Sequence, residues 1–137
     1  MNQEKINKIL EKSTRKALCM PLIYVSGAFR AETSWGIEQN IRKAENYALD
    51  LWKLGAAALC PHTNTRFYQG ELPDEAWLAG DLVMLKGCDA IFMLPEWEKS
   101  EGACIELEFA KILNKKVLYT LNLVEQYVIN HINKNNS

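Results

Sequence analysis

The chain has 137 residues, of which 48% are hydrophobic and 24% charged, with a formal net charge of −1. That length suits one soluble domain around a single core. The charge balance excludes the Lys/Arg excess of a protein that binds a nucleic-acid polymer, but leaves a small-molecule pocket open. The charged first twenty residues and the lack of any apolar run of membrane length predict no membrane partner and a cytoplasmic location. Cys19, Cys60, Cys88 and Cys104 are scattered, with no C-x-x-C pair and no His at ligand spacing. Neither a disulfide framework nor a metal or other cofactor is expected.

In chain order, residues 2–17 read as a short amphipathic helix carrying Ile6, Ile9 and Leu10. This arm, residues 1–20, is expected to pack on the domain or on another subunit. Residues 21–27 form a buried strand ending in a turn, and 31–35 a polar loop. Residues 36–54 form a helix with an apolar line of Ile37, Ile41, Ala44, Ala48 and Leu51, capped by Gly55. A strand at 56–60 leads to a loop at 61–70. The helix at 73–86 has Pro73 in its first turn, where a missing N–H costs nothing. A strand at 89–94, a loop at 95–101, a helix at 102–114, a strand at 116–120 and a helix at 124–132 follow. The domain is thus expected over 21–133, with a polar, frayed tail at the end, residues 134–137.

Strands alternate with helices, and the strands are short continuous apolar runs. That pattern predicts an α/β, Rossmann-like three-layer sandwich with a mainly parallel sheet of four to five strands. Ligands of such sheets bind beyond the carboxyl ends of the strands, so the relevant loops are 26–36, 60–73 and 94–103.

Two carboxylates break the helical pattern near those loops. In the 102–114 helix, a step of about 100° per residue gathers Glu101, Cys104, Glu108, Lys111 and Lys115 into one solvent-facing stripe. Glu106 falls roughly 160° from its centre. Its neighbours three and four positions away are Gly102, Ala103, Phe109 and Ala110. A charge placed there loses hydration and needs compensation. Two readings stand: a carboxylate kept for chemistry, or one satisfied by backbone amides of the preceding loop. Asp81 repeats the anomaly, sharing a face with Trp77, Leu78, Met84 and Leu85. Two such groups on neighbouring helices point to an acid/base or nucleophile pair.

The loops offer binding groups. Gly27 permits a tight turn after the first strand, and the amides there, with Ser26, could receive a phosphate or a ribose hydroxyl. Phe29 and Arg30 follow in the same loop. Neither G-x-G-x-x-G nor G-x-x-x-x-G-K-[ST] is present, so dinucleotide and P-loop readings fail. His62 and Asn64 could hydrogen-bond a sugar or base, and Trp97 could stack on a base or act as a structural lid. Tyr24 could orient Glu106 or simply fill core. His131 reads as an ordinary helix residue.

Taken together, Ile23-Tyr-Val-Ser-Gly27, Asp81-Leu82, Cys88-Asp-Ala-Ile91 and Ser100-Glu-Gly-Ala-Cys-Ile-Glu106 resemble the nucleoside 2-deoxyribosyltransferase-like superfamily in order and spacing. The resemblance covers about residues 21–120. It is greatest to a small bacterial and phage branch with Cys-Pro-His-Thr-Asn and Trp-Glu-x-Ser-x-Gly-Ala signatures, here Cys60 to Asn64 and Trp97 to Ala103. It implies a flavodoxin-like fold, cleavage of an N-glycosidic bond, no metal, and a homo-oligomer (dimer or tetramer) with shared active sites. Glu106 matches the family's nucleophile, Asp81 its helix Asp and Tyr24 its strand Tyr.

One departure bears on the substrate. The transferases carry an Asp six residues before the nucleophile, where this chain has Ser100; in that respect it resembles the nucleotide N-glycosidases. A hydroxyl at a helix N-terminus, beside Gly102, receives a phosphate, whereas a carboxylate repels it. The expected substrate is therefore a nucleoside 5′-monophosphate or related nucleotide, cleaved or transferred through Glu106. Asp81 would deliver a proton to the leaving base. The alternative expectation is a nucleotide-binding protein without turnover, a sponge or sensor for a nucleotide signal.

Overall fold

The computed structural model describes residues 1–136, and Ser137 of the expected tail lies outside them. The order of elements is α1 (Gln3–Ala17), β1 (Leu22–Ser26), α2 (Ser34–Lys53), β2 (Ala57–Leu59), α3 (Pro61–Asn64), α4 (Asp74–Lys86), β3 (Ala90–Met93), α5 (Glu101–Ile112), β4 (Lys116–Leu118) and α6 (Leu121–Asn136). The four strands form one sheet in the order β2-β1-β3-β4. Every pairing is parallel, with Tyr24 opposite Leu59 on one side and Ile91 on the other. This is the flavodoxin-like α/β arrangement expected, with four strands.

The period-2 alternation of strand side chains builds two different layers. Ile23 and Val25 of β1 join Ala90 and Phe92 of β3, packed by Ala44, Ala48 and Leu51 of α2 and Val124 and Val128 of α6. Tyr24 of β1 joins Ile91 and Met93, packed by Leu85 of α4 and Ala103, Leu107 and Ala110 of α5. β1 is the pivot, because the chain steps to β2 on one side of it and to β3 on the other. Gly27 closes this strand under a steric constraint, since a Cβ there would lie 2.5 Å from the Leu94 side chain. Asp89 anchors the opposite end, its carboxylate accepting from the Leu22 N–H at 2.8 Å.

Several boundaries differ from expectation, each for a local reason. α2 starts at Ser34 rather than Gly36, because Thr33 caps it by accepting from the Gly36 N–H at 3.0 Å. Residues 61–64, expected as loop, make the short helix α3 with Pro61 in its first turn. α6 begins at Leu121 and continues through residues 133–136, so these are helical rather than frayed. Its packed line of Val124 and Val128 carries the polar end along, and the Asn135 amide donates to the His131 carbonyl at 2.8 Å. The Cys19 thiol reaches Asn136 Oδ1 at 2.9 Å. α1 has no buried residue, and Ile9 and Leu10 stay exposed.

Among the described residues no helix is long and apolar enough to cross a membrane. The four cysteines are free thiols.

Candidate active site

Ser100 starts the site by starting α5. Its hydroxyl oxygen accepts from the Ala103 N–H at 3.2 Å, an N-cap worth about 1 kcal/mol that fixes where the helix begins. Glu106, in the second turn, is then carried inward against the sheet and is only 7% exposed. β1 supplies what a buried carboxylate needs. Tyr24 and Ser26 are two residues apart and so point to the same face, where both meet Glu106. The Tyr24 hydroxyl donates to Oε2 in a short contact, and the Ser26 hydroxyl donates to Oε1 at 2.7 Å.

The Glu106 carboxylate is held by two side-chain hydroxyls of β1 rather than by loop amides. Burial raises its pKa to about 7, the two hydrogen bonds oppose that rise, and the negative charge of Asp81 adds to it. Burial likewise raises Asp81 to about 6. The Tyr24 phenol is pushed far above its ordinary value, first by burial and then by Glu106, so it stays a proton donor to the carboxylate.

Glu106, Tyr24 and Asp81 line one cavity of about 800 Å³. It opens beyond the carboxyl end of β1, between the 27–37 segment, the 61–78 segment and the start of α5. Of the other residues expected from sequence, Gly27, Phe29, Arg30, His62, Ser100 and Gly102 also line it. Asn40 pins the first loop by donating to the carbonyls of Phe29 at 3.0 Å and Arg30 at 3.2 Å. The Arg30 guanidinium is ion-paired with Asp74 at the first turn of α4.

His62 is buried, with Nε2 placed 2.9 Å from the Ala28 carbonyl. A carbonyl only accepts, so Nε2 carries the hydrogen and Nδ1 is the lone-pair nitrogen. Nδ1 is buried without a hydrogen-bond partner. Burial lowers the pKa of this ring, which keeps it neutral. His62 therefore ties α3 to the β1 loop, while its edge meets Phe29 at 5.8 Å between ring centres.

Three expected binding residues stand apart from the cavity. Ser26 is fully buried and spends its hydroxyl on Glu106. Asn64 is exposed, and its amide is 3.8 Å from the Met84 sulfur. Trp97 packs its ring 6.0 Å from Tyr119 and against the apolar layer under α5. A further aromatic residue that lines the cavity is Trp77, together with Leu78, Thr65 and Gln69. Its signal was present in the sequence as the position four residues before Asp81 on one helix face. Among the described residues no group of three His, Cys, Asp or Glu could hold a metal ion.

An all-parallel sheet with its cavity where the chain reverses direction across the sheet defines an open α/β protein, here with Asp81 and Glu106 on the cavity wall. The chain belongs to the family described as a domain of unknown function (DUF4406), whose model matches residues 21–119. Among solved structures it is similar to a 2-deoxyribosyltransferase from the psychrotolerant bacterium Bacillus psychrosaccharolyticus. That match has a TM-score of 0.55 at 22% identity and covers 77% of this chain and 91% of the other. The likeness is one of fold, and it bears out the expected α/β arrangement. No curated protein sequence matches the chain.

Proposed function

We propose that the chain cleaves the N-glycosidic bond of a nucleoside 5′-monophosphate or related nucleotide, or transfers its glycosyl group, with Glu106 as nucleophile. The observation that carries this reading is a carboxylate on the cavity wall, 7% exposed and held by two hydroxyl donors, with a second carboxylate on the same cavity. The fold shared with a 2-deoxyribosyltransferase supports glycosyl chemistry of this kind.

The reaction follows from the two environments. As the bond from C1′ to the base breaks, its electron pair leaves with the base and positive charge builds on the sugar. A Glu106 oxygen bonds to C1′, so the developing cation is met by a carboxylate already oriented by Tyr24 and Ser26. Asp81, whose pKa burial also raises, supplies the proton that the departing base takes. The reacting form is the one in which Glu106, at about 7, is ionised and Asp81, at about 6, holds the proton. Water oxygen, or a base nitrogen of an acceptor, then bonds to C1′ as the ester bond to Glu106 breaks, its proton passes to Asp81, and the Glu106 carboxylate is regenerated.

The 5′-phosphate is received at the start of α5. Ser100 uses a lone pair to cap the helix, which leaves its O–H free to donate to an anion at the positive end of the helix dipole. Lys99 and Arg30 line the same cavity.

The test is incubation with a panel of nucleosides and 5′-monophosphates, with free base read by chromatography and binding read by calorimetry. Release of base supports the reading. Tight binding with intact ligand points instead to a sponge or sensor, and no binding removes both. Ser100→Asp places a negative charge at the phosphate position and should weaken monophosphates by about 2 kcal/mol while sparing nucleosides. Equal handling of monophosphates by both proteins would remove Ser100 from the phosphate site.

A further inference from the structure

We infer that Trp77, backed by Tyr68, is the stacking platform for the heteroaromatic leaving group. The inference rests on the glycosidic reading for what the base does, but on separate observations for where it lies. Trp77 lines the cavity and is half-buried on α4. It precedes Asp81 by one helical turn, so both side chains project from one face of that helix into the same space. Tyr68 packs beside the indole with ring centres 6.1 Å apart and planes tilted by 35°.

The segment before α4 is shaped to hold Tyr68 there. Residues 65–71 fold into successive turns, with the Tyr68 N–H donating to the Thr65 carbonyl at 3.0 Å and the Glu71 N–H to the Tyr68 carbonyl at 3.1 Å. Arg66 fastens this segment to α2 through Glu38 and Glu45. Its guanidinium carbon sits 5.1 Å from the Phe67 ring centre. Gln69, in the same turns, also lines the cavity and presents an amide that can both donate to and accept from a base edge.

Geometry then limits where a base can go. A proton from Asp81 reaches a ring nitrogen only across a hydrogen bond, so the base must sit beside Asp81. One turn along α4 from that point, the exposed part of the indole offers an apolar π-face. Such a face is tolerant of base identity and selective for a flat aromatic group over a saturated sugar. Trp97, by contrast, has its ring engaged with Tyr119.

The experiment measures binding of adenosine 5′-monophosphate, ribose 5-phosphate and a set of free bases to the wild-type chain, Trp77→Phe and Trp77→Leu. The expected result is a loss of roughly tenfold or more in affinity for the nucleotide and bases in Trp77→Leu, with recovery in Trp77→Phe and unchanged binding of ribose 5-phosphate. Thermal melts check that the variants are folded; if Trp77→Leu is not, Trp77→Gln, which also lacks a ring, takes its place with the same loss expected. Unchanged base binding in Trp77→Leu overturns the platform, as does equal loss for ribose 5-phosphate. So does failure of the wild-type chain to bind any base or nucleotide. Base binding that depends on Trp77 without cleavage of any substrate would keep the platform and remove the glycosidic reading.

Discussion

The two faces of the sheet are made from the same four strands and serve different ends. On the α2/α6 face, β1 contributes Ile23 and Val25 to a layer of Ala, Val, Leu and Phe. On the α4/α5 face, the alternate residues Tyr24 and Ser26 direct two hydroxyls at one buried carboxylate. A layer of aliphatic groups gains from burial at about 25 cal/mol per Å². A buried carboxylate loses hydration, and here the loss is visible as a pKa of about 7 rather than the ordinary 4.5. Both faces stabilise the fold through apolar packing, and the α4/α5 face in addition accepts the cost of a buried carboxylate.

The largest expected effect separates those roles at Glu106. Glu106→Gln should abolish base release by several orders of magnitude, because it removes the charge facing the developing cation with little change in volume. A variant that keeps most of its turnover would remove Glu106 from the mechanism. Stability should move the other way. Because the folded pKa is raised, this group's stabilising contribution is complete below about pH 4.5 and is lost as the pH rises through about 7. Asp81 has the same sign, with its contribution lost through about pH 6. Glu106→Gln should thus melt higher than wild type at pH 8, on the order of 5 °C, and equally at pH 4. A lower melting point at pH 8 would mean that the carboxylate stabilises the fold after all.

The opposite face should respond in reverse. Leu51 of α2 is fully buried, and Leu51→Ala leaves a cavity costing about 3 kcal/mol. Denaturant titration should show that loss, and the rate per folded molecule should be unchanged. A matching fall in rate would show that the two layers are coupled through the sheet.

Asp81→Asn sharpens the division within the active face. It should slow release of basic, poor leaving groups by about a hundredfold and good ones far less, since general acid catalysis matters most for the former. Equal losses across a leaving-group series would make Asp81 an orienting residue. The smallest effect is expected from Tyr24→Phe, which deletes one of the two hydrogen bonds that lower the Glu106 pKa. The acid limb of the pH–rate profile should move to higher pH, and the rate at pH 6 should fall by about tenfold with a smaller change at pH 8. A profile that drops uniformly would show that the hydroxyl acts on something other than Glu106 ionisation. Because the two carboxylates influence each other, the limbs of that profile belong to the pair.

Much of this was legible from residue order alone. Runs such as Ile91-Phe-Met-Leu94, bounded by turns and separated by amphipathic helices, require a parallel sheet covered on both faces. Glu106 and Asp81 stood out because helical periodicity is local, and a carboxylate out of phase with it is visible without coordinates. The boundaries that moved were set by capping side chains such as Thr33, whose choice among several nearby candidates depends on the backbone around it.

What a side chain does in a loop was beyond the reach of periodicity. Trp97 was expected in a loop and Trp77 in the helix after one, yet the loop residue packs on Tyr119 and the helix residue lines the cavity. Ser26 and Ser100 are equally able to meet a ligand, but register aims the first at Glu106 and leaves only the second in the cavity. Local pattern determined the elements, the layers and the two anomalous carboxylates. Tertiary packing alone decided which hydroxyls hold Glu106 and which tryptophan reaches the cavity. Those partners come from segments up to 82 residues apart in the chain, and no periodicity spans such a distance.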